Sequence, residues 1–211
     1  MVLKKLGSLF KMNVGISPED VLVRAQDTPN PYAIKFVVNH ALKEVGKATF
    51  NSVEECRDLP LVESVLNING VKQVYLFENT LTVTHDGSVP IEDLKDCVTA
   101  VLKTRLSIHN PNFQTDIEKE NSQTHSPALG KKEHKDPFLN AVEEVLDRTI
   151  RPGLQADGGD VEIISYKDGE LRILYQGACG GCPSAMMGTL DAIQNILRTE
   201  LDVPDLYVIP I

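Results

Sequence analysis

The amino-acid sequence predicts an α+β protein made of two small domains joined by a flexible polar linker. Three observations carry that expectation. A polar stretch between His109 and Lys135 interrupts the apolar patterning. On both sides of it, short strand-like runs joined by turn signals alternate with longer runs of helical periodicity. A Cys-x-x-Cys sequence, Cys179-Gly180-Gly181-Cys182, stands where a predicted strand gives way to a predicted helix.

The first domain is expected over residues 18–109. Tyr32–Val38 reads as a strand, and so do Val71–Phe77 and Leu81–His85, linked across Glu78-Asn79-Thr80 as a hairpin. A helix is expected from Ile91 to Ile108, with Leu94, Cys97, Val98, Val101 and Leu102 at helical spacing. Another helical segment lies between Ser52 and Ile68, where Pro60 breaks or kinks it. Residues 110–135 contain Pro111, Pro127 and Gly130 without apolar periodicity, and read as the linker.

The second domain is expected over residues 136–211, in the order α-β-β-α-β. Phe138, Val142, Val145 and Leu146 mark its first helix. Gly158-Gly159 marks a loop. Val161–Tyr166 and Leu171–Tyr175 read as strands joined by Lys167-Asp168-Gly169, a strong hairpin signal. Met186, Leu190, Ile193 and Leu197 step at helical spacing behind the cysteines, and Leu206–Ile209 reads as a final strand.

Bulk properties narrow the functional classes. With 211 residues, 42% hydrophobic and 24% charged, the chain is long enough for a core in each domain. Its formal net charge of -9 argues against nucleic acid as a partner, since phosphate binding needs a basic footprint. No apolar run approaches a membrane span. The opening Met1–Ser17 carries Lys4, Lys5 and Lys11 but no arginine, and reads mainly as a frayed start. Four cysteines in a chain of this size form no disulfide framework. They fit a reducing compartment and a metal or redox pair.

The Cys179–Cys182 pair is the principal candidate site. The glycines between the cysteines let the backbone curl close to a ligand. Pro183 suits a first helical position and would set Cys182 at the cap, where the helix N-terminus favours a thiolate. Paired thiolates bind soft metals, but one chain supplies two sulfurs where a cluster or a structural zinc takes four. Three chemistries follow. A thiol–disulfide couple also sits after a strand and opens a helix, but here that strand belongs to a hairpin rather than to a βαβ unit. A zinc site would need further ligands, and no histidine follows His134. An iron–sulfur cluster shared across a two-fold dimer explains an isolated, exposed, glycine-flanked pair best.

Other residues carry less. Asp157-Gly158-Gly159-Asp160 reads as a loop with glycines at positive φ, its carboxylates too hard for a soft metal. Cys56 and Cys97 read as packing residues. His40, His85, His109, His125 and His134 show no ligand spacing, and no catalytic constellation stands out.

Leu154-Gln155-Ala156-Asp157-Gly158-Gly159-Asp160 followed by Gly177-Ala178-Cys179-Gly180-Gly181-Cys182-Pro183-Ser184 closely resembles the NifU-type C-terminal domain of iron–sulfur cluster scaffold proteins. Thr28–Pro31, Leu66–Val74 and Leu81–Thr84 resemble the N-terminal domain of the Nfu branch. Gly180 stands where that family usually has Ser, and Ile91 near a position where it commonly has Trp. The resemblance implies a non-enzymatic carrier. In it Cys179 and Cys182 pair with their counterparts in a second subunit to hold a [4Fe–4S] cluster. Its partners would be apo iron–sulfur proteins, upstream assembly proteins and, when loaded, a second copy of the chain, with no nucleic acid and no membrane. The expected compartment is a bacterial-type cytoplasm, with the mitochondrion as the alternative.

Overall fold

The computed structural model describes residues 16–56, 58–115, 118, 134, 136–180 and 183–211, with the side chains of 183–187 outside that description. The chain is α+β and divides into two compact units. The first holds most of a five-stranded sheet, and the second is built on a three-stranded sheet.

The five-stranded sheet comprises β1 (Val23–Asp27), β2 (Ala33–Val38), β3 (Lys43–Phe50), β4 (Val71–Glu78) and β5 (Thr80–His85), in the spatial order β1-β2-β5-β4-β3. Strands β2, β4 and β5 fall where the apolar pattern expects them; β1 and β3 do not announce themselves. Strand β1 is a polar, mostly exposed edge strand. In β3 the pairing with β4 shifts register between Lys43 and Lys47, around Gly46 at φ 72°. Such a bulge erases the two-residue alternation by which a strand is recognised.

Helix α1 (Pro60–Leu66) begins at the proline instead of being broken by it. A first helical position needs no amide hydrogen, and the proline ring pre-sets φ. A 3-10 turn, Val53–Cys56, precedes it. Helix α2 (Ile91–Arg105) gives way to a 3-10 turn over Leu106–Ile108, where the sequence reads as one continuous helix. Helix α1 buries Leu61, Val62 and Val65 and packs on α2 and β4. Helix α2 buries Leu94, Val98 and Leu102. That i, i+4, i+8 row winds around the helix away from Cys97, which is exposed and no packing residue. Cys56, in contrast, is buried as expected. The first residues of the expected linker pack on this unit. Phe113 is buried, its ring 6.1 Å from that of Phe50, and its carbonyl accepts a 2.8 Å hydrogen bond from the buried Lys43 ammonium.

In the second unit α3 (Pro137–Thr149) starts at Asp136, whose carboxylate accepts a 2.9 Å hydrogen bond from the Phe138 amide. The helix ends at Ile150, and α4 (Arg151–Ala156) follows at once. Pro152 lacks the amide hydrogen that a continuous helix would need there, so the single expected helix becomes two. Strands β6 (Gly159–Lys167) and β7 (Glu170–Gly177) form the expected hairpin. Its turn residues, Asp168 at φ 52° and Gly169 at φ 85°, are both left-handed, as a two-residue turn matched to the strand twist requires. Helix α5 (Pro183–Glu200) then crosses to β8 (Tyr207–Pro210), which pairs parallel to β7. Strand β7 therefore belongs to a hairpin and also to a β-α-β crossover. The hairpin pattern alone did not reveal the crossover, because parallel pairing leaves no local signal. Val142, Leu146, Val161, Ile163, Ile173, Ile193 and Leu197 form the centre of one apolar core.

Candidate cluster-binding site

The antiparallel register of β6 and β7 sets the site. Gly159 lies opposite Gly177, Val161 opposite Tyr175 and Ile163 opposite Ile173. Side chains two apart share a face, so Tyr175 and the glycine pair lie on the core face, one step apart. Beyond Gly177 (φ 58°) the chain turns back. The Gly180 amide donates to the Gly177 carbonyl at 3.0 Å, and the Ala178 amide to the Gly158 carbonyl at 3.1 Å. This turn carries Cys179 over the end of the hairpin. A Cβ built on Gly159 would collide with Cys179 Sγ and lie 2.8 Å from its backbone nitrogen. The sulfur thus takes the place on the core face that a side chain at 159 would occupy.

Cys179 is only 6% exposed and belongs to the apolar core of its domain. The sequence reading expected an exposed pair; for Cys179 the structure corrects it. Gly159 opens a recess that only the folded hairpin creates. Cys182 lies outside the described residues. Among the described residues, no three side chains of His, Cys, Asp or Glu gather in a way that could hold a metal ion.

The Asp157–Asp160 loop is tied down beside this recess. Gly158 has φ 82°, as the loop reading expects of a glycine there, whereas Gly159 is already strand and owes its lack of a side chain to Cys179. Asp160 is buried. Its carboxylate accepts from the Val161 amide at 2.6 Å and from Gln155 Nε2 at 3.2 Å, and faces Arg151 Nε at 3.4 Å. Arg151 meets Glu143 and Asp147 at 2.5 Å each and donates through Nε and Nη2 to the Val161 carbonyl. Burial by itself pushes the Arg151 guanidinium down; Glu143, Asp147 and Asp160 outweigh it and hold the pKa above its ordinary value. His134 Nε2 lies 2.9 Å from the other Glu143 oxygen. Asp160 therefore ties the loop down directly, through the Val161 amide and Gln155, with its charge balanced by Arg151. Sequence reasoning missed Arg151. Its available signal was a charged residue next to a proline at the end of an apolar helical stripe.

Tyr175 was legible as a strand residue only. Its side chain is 7% exposed, and Oη has no hydrogen-bond partner among the described residues. Burial, and after it a Cys179 thiolate, push the hydroxyl up to about 12.

These features define a class: a small α+β domain that seats a cysteine, Cys179, in the turn between a hairpin strand and a crossover helix. The NifU-like domain profile matches residues 142–206, and the profile of the scaffold protein Nfu/NifU N terminal matches residues 23–109. The chain is 30% identical over 179 residues to NifU-like protein 4, mitochondrial, of Arabidopsis thaliana, covering 84% of this chain and 62% of that one. It is 30% identical over 179 residues to the human NFU1 iron-sulfur cluster scaffold homolog, mitochondrial, covering 84% and 67%. A solution structure of a NifU-like protein from Saccharomyces cerevisiae aligns with a TM-score of 0.40 at 16% identity, over 52% of this chain and 92% of that one. The chain belongs to the NifU-like, Nfu-type scaffold family. It spans a little under two thirds of the Arabidopsis relative's length.

Proposed function

We infer that this protein is a non-enzymatic scaffold and carrier of iron–sulfur clusters, in which Cys179 and Cys182 from each of two copies hold one [4Fe–4S] cluster for delivery to apo iron–sulfur proteins. The observation that carries the reading is the glycine recess under Cys179. The fold gives up a side chain at 159 to seat one cysteine of a Cys-x-x-Cys at a strand–helix junction, in a chain of the scaffold family. Two thiolates per chain leave a cubane half-ligated, so a second copy completes it. A carrier must also release its cargo. Ligands on a turn at a subunit boundary let target thiolates replace scaffold thiolates one at a time. Upstream assembly proteins would load the site. The relatives' names place them in mitochondria, which favours the organellar compartment over a bacterial-type cytoplasm.

The experiment is anaerobic reconstitution with iron and sulfide, followed by visible absorption, metal and sulfide assays, and light scattering. About four iron and four sulfide per dimer, with apo monomer and holo dimer, are the expected result. A full cluster on a monomer would refute the shared-ligand arrangement. One observation favours a second reading. The β7–α5–β8 crossover puts Cys179 between the strand and the helix of a β-α-β unit, and a thiol–disulfide couple occupies such a junction. Reversible two-electron oxidation without metal uptake would select that reading, and stoichiometric zinc would select a zinc-bridged dimer.

A further inference from the structure

We propose that Tyr175 is a positioning residue for the cluster, its hydroxyl donating a hydrogen bond to the Cys179 thiolate. The inference rests on the scaffold reading above and adds a residue to it. Three observations carry it. Tyr175 is 7% exposed, yet Oη finds no partner among the described residues. A buried hydroxyl without a partner loses its hydration for nothing in return, so a fold that keeps one normally has a use for it. Tyr175 and the Gly159–Gly177 pair share the core face one two-residue step apart, about 7 Å along the strand. The Cys179 sulfur sits against Gly159, in the same apolar core as the Tyr175 ring. A tyrosine side chain reaches that far. The site thus holds a donor without an acceptor next to a sulfur that becomes a strong acceptor once it is a thiolate.

Hydrogen bonds to cluster sulfurs lower their electron density, stabilise the reduced state and raise the reduction potential. The test compares wild type with Tyr175→Phe, both as full chains reconstituted anaerobically. In the apo protein the substitution removes an unpartnered group and keeps the ring, so Tm should hold or rise. In the loaded protein the potential should shift negative. The Fe–Sγ stretching bands of wild type should shift in D2O, and that shift should be lost in Tyr175→Phe. An unchanged potential together with an unchanged D2O response would overturn the inference while leaving the scaffold reading intact. Failure of the wild type itself to take up a cluster would instead refute the scaffold reading. Should Tyr175→Phe reconstitute poorly, the D2O response of wild type alone decides: no shift of any Fe–Sγ band would refute the hydrogen bond.

Discussion

Gly159 and Cys179 are 20 residues apart in sequence and share one space: a Cβ on the glycine would lie 3.0 Å from the Cβ of the cysteine and 2.8 Å from its nitrogen. Real Cβ atoms essentially never come closer than 3.0 Å to a backbone atom, so either the loop or the strand would have to move. Gly159→Ala should therefore cost about 1–3 kcal/mol by overpacking. It should displace Cys179 from its seat and reduce cluster uptake on reconstitution. Thermal unfolding and iron content measure the two effects. An alanine variant with wild-type stability and iron content would show that the recess is dispensable.

Cys179→Ser and Cys182→Ser should each abolish cluster binding. The remaining two cysteines now separate further by burial. Cys56 is buried, burial first and then Glu55, Glu63 and Glu54 pushing its thiol up to about 12, so it stays protonated and inert. Cys56→Ala should cost about 1–2 kcal/mol in packing and spare the cluster. Cys97 is exposed on α2, so Cys97→Ala should stay within about 0.5 kcal/mol of wild type. Loss of iron in either variant would contradict the ligand assignment.

Arg151 sits among Glu143, Asp147 and Asp160. Arg151→Met keeps volume but leaves buried carboxylates without their cation, at a cost of about 3–5 kcal/mol. A triple change that also replaces Glu143 and Asp160 with Gln and Asn should recover much of that loss, because neutral amides need no counter-charge. Denaturant unfolding of both variants distinguishes a missing charge from a missing packing contact.

His109 should make the first domain less stable on the acid side. Its ring is fully buried, with Nε2 donating to the Leu42 carbonyl at 2.7 Å. Burial lowers its pKa below the ordinary 6.5, and the Leu42 carbonyl opposes this by less. Below pH 6.5 the unfolded chain takes up a proton that the folded chain refuses. Stability should therefore fall as pH drops through 6.5 and level off below the depressed folded value. His85, lowered by burial against the opposing pull of Asp86, adds to the slope with the same sign. Melting curves from pH 8 to 5 should show the decline, and His109→Gln should shallow it.

A fragment of residues 131–211 should fold, dimerise and take up the cluster unaided, since both proposed ligands and the whole apolar core of the second domain lie within it. Starting before His134 retains its contact with Glu143. Transfer from this fragment should be slower than from the full chain for at least one apo target, if the first domain raises the local concentration of that target. Equal rates for every target would leave the first domain without that role.

The sequence by itself determined the α+β class, the Lys167–Gly169 hairpin, the helical stripe of α5 and the cysteine pair, because each rests on local periodicity or turn chemistry that neighbours in sequence settle. Tertiary structure decided the rest. Parallel pairing of β8 with β7 depends on where a crossover helix lands, and polar β1 and bulged β3 become strands only through their sheet partners. The exposure of Cys97 depends on which way a four-residue row winds around its helix. The burial of Cys179 and the need for glycine at 159 join residues 20 apart in the chain, and the unpartnered hydroxyl of Tyr175 and the Arg151 network depend on how the strands and helices around them pack. Only the hairpin register and the packed core bring such residues within a few ångströms of one another, and it is at those distances that sterics, desolvation and charge act.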